Sequence, residues 1–113
     1  MGMRKSRLDR NTQAILSEIR AGLSEVYGAR LRKVCLYGSY ARRQQQEGSD
    51  MDILVVLDEV RDVGEELSRM SELGSGLSLA HDVTISFCPV DEWEFFNRQS
   101  AFLMNVCREA IPV

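Results

Sequence analysis

The sequence predicts a small α/β (α+β) fold, a mixed sheet of three or slightly more strands with helices packed on it. Two observations carry that prediction. Three short β-type runs are separated by polar or helical segments, and the order reads helix, strand, helical stub, strand, helix, strand, then one or two closing helices. A length of 113 residues sets the expectation of a single domain over 1–113 with an adequate core.

The first helix is expected from about Ser6 to Tyr27. Leu8, Leu16, Ile19, Leu23, Val26 and Tyr27 recur at three- and four-residue intervals among charged residues, and Gly28 follows as a C-cap. Leu31 to Tyr37 reads as a strand stopped by Gly38-Ser39. Ser39 to Arg43 reads as a helical stub, and Gln44 to Ser49 as polar loop. Asp50 to Asp58 is the clearest strand, aliphatic and β-branched throughout its middle. Helical spacing resumes from Asp62 to about Leu73, where Gly74-Ser75-Gly76 is expected to end it. Asp82 to Phe87 alternates cleanly as a third strand, with Pro89 as its stop. Asp91 and Ser100 read as N-caps of two last helices, through Phe96 and Glu109.

Composition excludes several classes. Apolar residues make up 44% and charged residues 27%, which is globular and not disordered. A net charge of −3 argues against holding nucleic acid by a basic surface, so no direct nucleic-acid binding is expected. The longest uncharged stretch, Gln99 to Cys107, is far short of the ~20 residues a membrane span needs. No apolar run follows Arg4, Lys5, Arg7 and Arg10, so no secretory signal is read. Met1 to Ser6 fits the loose myristoylation pattern, which is too short to weigh alone. Cys35, Cys88 and Cys107, an odd number among apolar neighbours, read as buried thiols of a cytoplasmic protein rather than a disulfide framework.

The chemistry concentrates at the strand ends. Gly38-Ser39 lies just past the first strand, and Asp50 and Asp52 open the second. Two residues apart on a strand, these carboxylates share a face and repel unless a cation lies between them. Hard oxygen ligands at that spacing suit Mg²⁺, which takes one or two carboxylates and leaves its other positions to water and phosphate. Asp82 is placed at the opening of the third strand. For these groups to converge, the first two strands must run antiparallel and the last two parallel. The helix beginning near Asp62 supplies the crossover that a parallel pair requires.

Gly38-Ser39-Tyr40-Ala41-Arg42, a gap to Ser49-Asp50-Met51-Asp52-Ile53-Leu54-Val55-Val56, and the later Asp82 resemble the signature of the polymerase-β-like nucleotidyltransferase superfamily. Within it the chain is similar to the minimal nucleotidyltransferases (MNT), and the tail from Ser100 to Ala110 resembles that group's last helix. The resemblance implies the nucleotidyltransferase fold, with Gly38, Ser39 and Arg42 on the nucleotide phosphates. It implies that Asp50, Asp52 and Asp82 act as catalytic residues and ligands of two Mg²⁺ ions, with ATP as substrate. Arg43 departs from the pattern, because Gly commonly follows the Arg of such motifs.

That resemblance implies transfer of AMP from ATP to a hydroxyl, in a chain too short for an acceptor domain of its own. In the minimal family the acceptor is a tyrosine of a HEPN toxin, and the MNT protein is the antitoxin. No Arg-X4–6-His occurs around His81, so the chain is not the toxin half. Two alternatives stand beside this reading: a catalytically silent module that neutralises its partner by contact, and a dimeric aminoglycoside-type nucleotidyltransferase. Plainer readings also exist for single residues. Arg42 and Arg43 can face solvent beside Glu47, and His81 can be an ordinary surface histidine. Tyr27, Tyr37, Trp93, Phe95, Phe96 and Phe102 fit core or partner surface.

Overall fold

The computed structural model describes residues 8–97 and 100–113. The first helix, α1 (Arg10–Tyr27), starts at Asp9, whose carboxylate accepts from the Thr12 N–H. The expected start near Ser6, the basic residues before Leu8 and the Met1–Ser6 pattern lie outside the described residues. Ile15, Leu16, Ile19, Leu23 and Tyr27 are buried along one stripe of α1. Val26 is exposed instead, since it lies one position off that stripe. Gly28 is the C-cap, as expected, and opens a turn of 3₁₀ helix that leads into β1 (Leu31–Tyr37).

Next come β2 (Asp50–Leu57), α2 (Val63–His81), β3 (Thr84–Asp91), α3 (Glu92–Asn97), α4 (Ala101–Glu109) and a short β4 (Ile111–Pro112). Among the described residues the sheet has four strands in the order β3-β2-β1-β4. β1 pairs antiparallel with β2, and β2 pairs parallel with β3 across the α2 crossover. Both directions agree with those that convergence at one site demands.

Strand alternation divides the core. Met51, Ile53, Val55 and Leu57 pack with Val34 and Leu36 under α1 and α2. Leu54, Val56 and Cys35 pack with Phe95, Leu103 and Val106 under α3 and α4. Asp50 and Asp52 therefore belong to the second face, at its open end. At the opposite end, Glu66 is 4% exposed and accepts from the Tyr27 hydroxyl (2.9 Å) and from Arg30 (2.9 Å), which also bridges Asp58. This network ties α1, α2 and the start of β1 to the loop after β2.

Two expected stops are overridden by packing. The helix α2 runs through Gly74-Ser75-Gly76, although each glycine costs roughly 1 kcal/mol of helix propensity. Gly74 is buried against Phe87, and a Cβ there would lie 3.0 Å from the Phe87 ring. The glycine lets the helix close onto β3, and that burial outweighs the propensity loss. Pro89 sits inside β3 and does not end it, because β3 is an edge strand and can spare an N–H on its free side. Asp91 and Ser100 do cap: their side chains accept from the Trp93 and Leu103 N–H groups.

Candidate active site

Tyr37, the last residue of β1, pairs with Asp52, so the Gly38-Ser39 turn emerges beside the two carboxylates at the start of β2. Asp50, the first residue of β2, is exposed, and Asp52 is half-buried. The segment expected as a helical stub is a compact turn. Arg42 N–H donates to the Gly38 carbonyl (3.1 Å), Arg43 to Tyr40 (3.2 Å) and Gln44 to Ser39 (2.8 Å). Gly38 has φ +79°, and a Cβ at that position would fall on the Asp52 carboxylate. Glycine is thus required twice over, by the backbone and by the neighbouring Asp52 carboxylate.

Arg43 occupies φ 57°, the left-handed region that glycine favours. The position where the motif departs from the family pattern has kept the glycine conformation and put an arginine in it. Arg42 pairs with Glu109 at the end of α4, at 2.9 Å, and not with Glu47. The same carboxylate accepts from the Gly38 N–H at 2.9 Å. Sequence reasoning did not single out Glu109. The available signal was its place in the last turn of a helix, where the macrodipole disfavours an acid.

These charges set the state of Asp52. Burial raises its pKa above the ordinary aspartate value, Asp50 and Glu109 push the same way, and Arg42 opposes them. The site is a concentration of negative charge, held by one arginine and lined by oxygen donors.

Asp82 is not part of β3. It is the C-cap of α2 with φ 53°, and the strand begins two residues later. Alternation read from sequence extended the strand backwards, whereas the backbone uses Asp82 to leave the helix in the left-handed conformation that aspartate tolerates. The register places Thr84 level with Asp50 and Ser86 level with Asp52. Asp82 lines a cleft with Tyr40, Ser49, Leu79 and Thr84, just before the strand position level with Asp50. Among the described residues no group of three or more His, Cys, Asp or Glu side chains is placed to hold a metal. Asp50 and Asp52 nevertheless fit Mg²⁺, which needs no more than two carboxylates when phosphate and water complete its shell. His81 lies away from these carboxylates, in the last turn of α2, 3.1 Å from Glu18. All three cysteines are free; Cys35 is buried as expected, whereas Cys88, on the edge strand β3, and Cys107, near the end of α4, are only half-buried. Among the described residues no helix is long and apolar enough to cross a membrane.

Comparison with known proteins gives the same frame. The family model "Polymerase beta, Nucleotidyltransferase" matches residues 24–99. A Methanocaldococcus jannaschii protein assigned as a protein adenylyltransferase, MJ0604, is 33% identical over 101 residues, 88% of this chain and 94% of that one. A solved structure assigned as a minimal nucleotidyltransferase superposes with a TM-score of 0.61 at 27% identity, covering 96% of this chain and 99% of the other. At 19% identity and a TM-score of 0.52, the fold is shared with a complex of tri-AMPylated Shewanella oneidensis HEPN toxin and MNT antitoxin. That match covers 90% of this chain and 67% of the other.

Proposed function

This chain belongs to the polymerase β nucleotidyltransferase family, and from that premise we propose that it transfers AMP from Mg²⁺-ATP to a tyrosine hydroxyl of a HEPN-type partner, acting as its antitoxin. The observation that carries this reading is the placement of Asp50 and Asp52 on one face, level with the Gly38-Ser39 turn, at the uncovered end of the sheet.

Each residue does one part of the work. Asp50 and Asp52 would hold the metal, and with it the triphosphate, at the start of β2. Bound Mg²⁺ supplies charge stabilisation and lowers the pKa of the attacking hydroxyl. Ser39 donates to phosphate oxygens from its hydroxyl and N–H, because Gly38 brings the backbone close. Arg42 adds a charge-assisted contact to the phosphates. Asp82, on the helix cap before β3, is left out of this assignment; Thr84 and Ser86 present hydroxyls on the neighbouring strand. Asp50 is exposed to solvent, so an acceptor hydroxyl can reach this end of the sheet from outside the fold. Trp93, Phe96 and Phe102 are 62%, 58% and 45% exposed on the two helices of that same face, and offer apolar surface to such a partner.

The test is transfer itself. The purified chain, Mg²⁺-ATP and a HEPN partner are incubated, and the partner's intact mass is followed. Gain of AMP that is lost with Asp52→Asn supports the reading. Transfer that survives the substitution refutes the site. A partner silenced without any mass gain, and equally well by Asp50→Asn, refutes AMP transfer in favour of neutralisation by contact alone.

A further inference from the structure

Glu109 makes contacts that its place on α4 does not require. Its Oε2 accepts from the Gly38 N–H at 2.9 Å, and its two carboxylate oxygens accept from Arg42 Nη1 at 2.9 and 3.0 Å. The Arg42 Nε donates in turn to Gln44 Oε1 at 3.1 Å. A guanidinium is a rigid planar fork, so anchoring Nη1 and Nε fixes the plane of the whole group. The remaining nitrogen, Nη2, has no protein partner within hydrogen-bond distance among the described contacts. The same carboxylate also fixes the Tyr37–Gly38 peptide, so both ends of the Gly38–Arg42 turn are tied to one residue.

We infer that Glu109 is a positioning residue for triphosphate binding. It acts through Arg42 and the Gly38 peptide and does not touch the nucleotide. This rests on the nucleotidyltransferase reading above and extends it to the last helix. Arg42 is 45% exposed in its side chain and Glu109 28%. An exposed arginine left without an anchor samples many rotamers, and ordering it on binding costs side-chain entropy. Glu109 meets that cost during folding, before nucleotide arrives. It also explains why an acid is kept at the unfavourable end of a helix dipole: the Gly38 N–H and the Arg42 cation outweigh the dipole.

A double-mutant cycle tests this on the intact chain, with Mg²⁺-ATP as the titrant in calorimetry and no acceptor present. Glu109→Gln is expected to weaken binding about tenfold, with the melting temperature essentially unmoved. Glu109→Asp, which keeps the charge one methylene back, is expected to recover part of the loss. Combined with Arg42→Ala, Glu109→Gln is expected to cost much less than it does alone, because the route through Arg42 is already gone. Full additivity overturns the inference, and so does tighter binding by Glu109→Gln, which would make Glu109 a competitor of the phosphates. A wild-type chain that binds no Mg²⁺-ATP overturns the nucleotidyltransferase reading itself. Wild-type binding with an unaffected Glu109→Gln variant overturns only the role given to Glu109.

Discussion

Replacing Asp52 by asparagine is expected to make the metal-free protein more stable while destroying its use of nucleotide. Asp50 and Asp52 are alternate residues on one strand, so their Cβ atoms are about 6.6 Å apart at a rise of ~3.3 Å per residue. Two unit charges at that distance repel by about 0.6 kcal/mol in water and about 2.5 kcal/mol at an effective dielectric near 20. Asp50 is exposed and Arg42 offsets part of the field, so about 1 kcal/mol is the expected gain. For a chain of this size that corresponds to a rise of about 4 °C in Tm. The sign with pH follows from the raised pKa of Asp52, caused by burial and then by Asp50, with Glu109 adding to it. The penalty on its charged form is complete above the folded-state pKa and absent below the ordinary aspartate value. The gap between variant and wild type is therefore expected at neutral pH and to close in acid. Thermal unfolding by circular dichroism, in chelator and over a pH series, measures it. Adding Mg²⁺-ATP is expected to raise the wild-type Tm and leave the variant unmoved. A variant no more stable than wild type at pH 7, or a gap that persists in acid, refutes like-charge crowding as the state of this site.

Three further outcomes are expected. Arg43→Gly relieves a non-glycine residue at φ 57° and, after the added freedom of glycine in the unfolded chain, is expected to stabilise by about 0.5–1 kcal/mol in urea unfolding; destabilisation would show that the arginine side chain matters more than its backbone. Thr84→Asp adds a carboxylate level with Asp50 and is expected to raise Mg²⁺ affinity several-fold in calorimetry, whereas Asp82→Asn leaves it unchanged; the reverse pattern would restore Asp82 to the site. Glu66→Ala removes the carboxylate shared by the Tyr27 hydroxyl and Arg30, which keep the Glu66 carbonyl and Asp58 respectively, and a loss of about 1–2 kcal/mol is expected. Burial works to raise the Glu66 pKa, but the Arg30 and Tyr27 hydrogen bonds outweigh it and hold it low. Its contribution is present above the ordinary glutamate value and lost as pH falls through the folded-state pKa, so the variant is expected to lack that part of the wild type's acid sensitivity.

Local pattern was sufficient for β1, for β2 and for the capped start of α4, because each is set by residues within one or two turns of each other. It was also sufficient to bring Gly38-Ser39 and Asp50/Asp52 together. A strand end and a strand beginning can meet only in an antiparallel pair, and the DXD spacing aims both carboxylates one way. It failed where a distant neighbour decides. The glycines of α2 read as a break until Phe87 is seen to need the space over Gly74. Pro89 reads as a stop until β3 is known to be an edge. β4 is two residues long, and its pairing with Cys35 and Leu36 leaves no periodicity to detect.

The sequence by itself determined the family, the order of the principal elements, and the two carboxylates and glycine turn of the candidate site, since those depend on residue type and spacing along the chain. Only the tertiary structure decided which other groups share that site. It placed Asp82 on a left-handed helix cap before β3 instead of in the strand, and brought Glu109 to Gly38 from the far end of the chain. The reason is physical. A cap is chosen by how the helix must turn to enter β3, and Glu109 reaches Gly38 only because Leu103 and Val106 dock α4 on Leu54 and Val56.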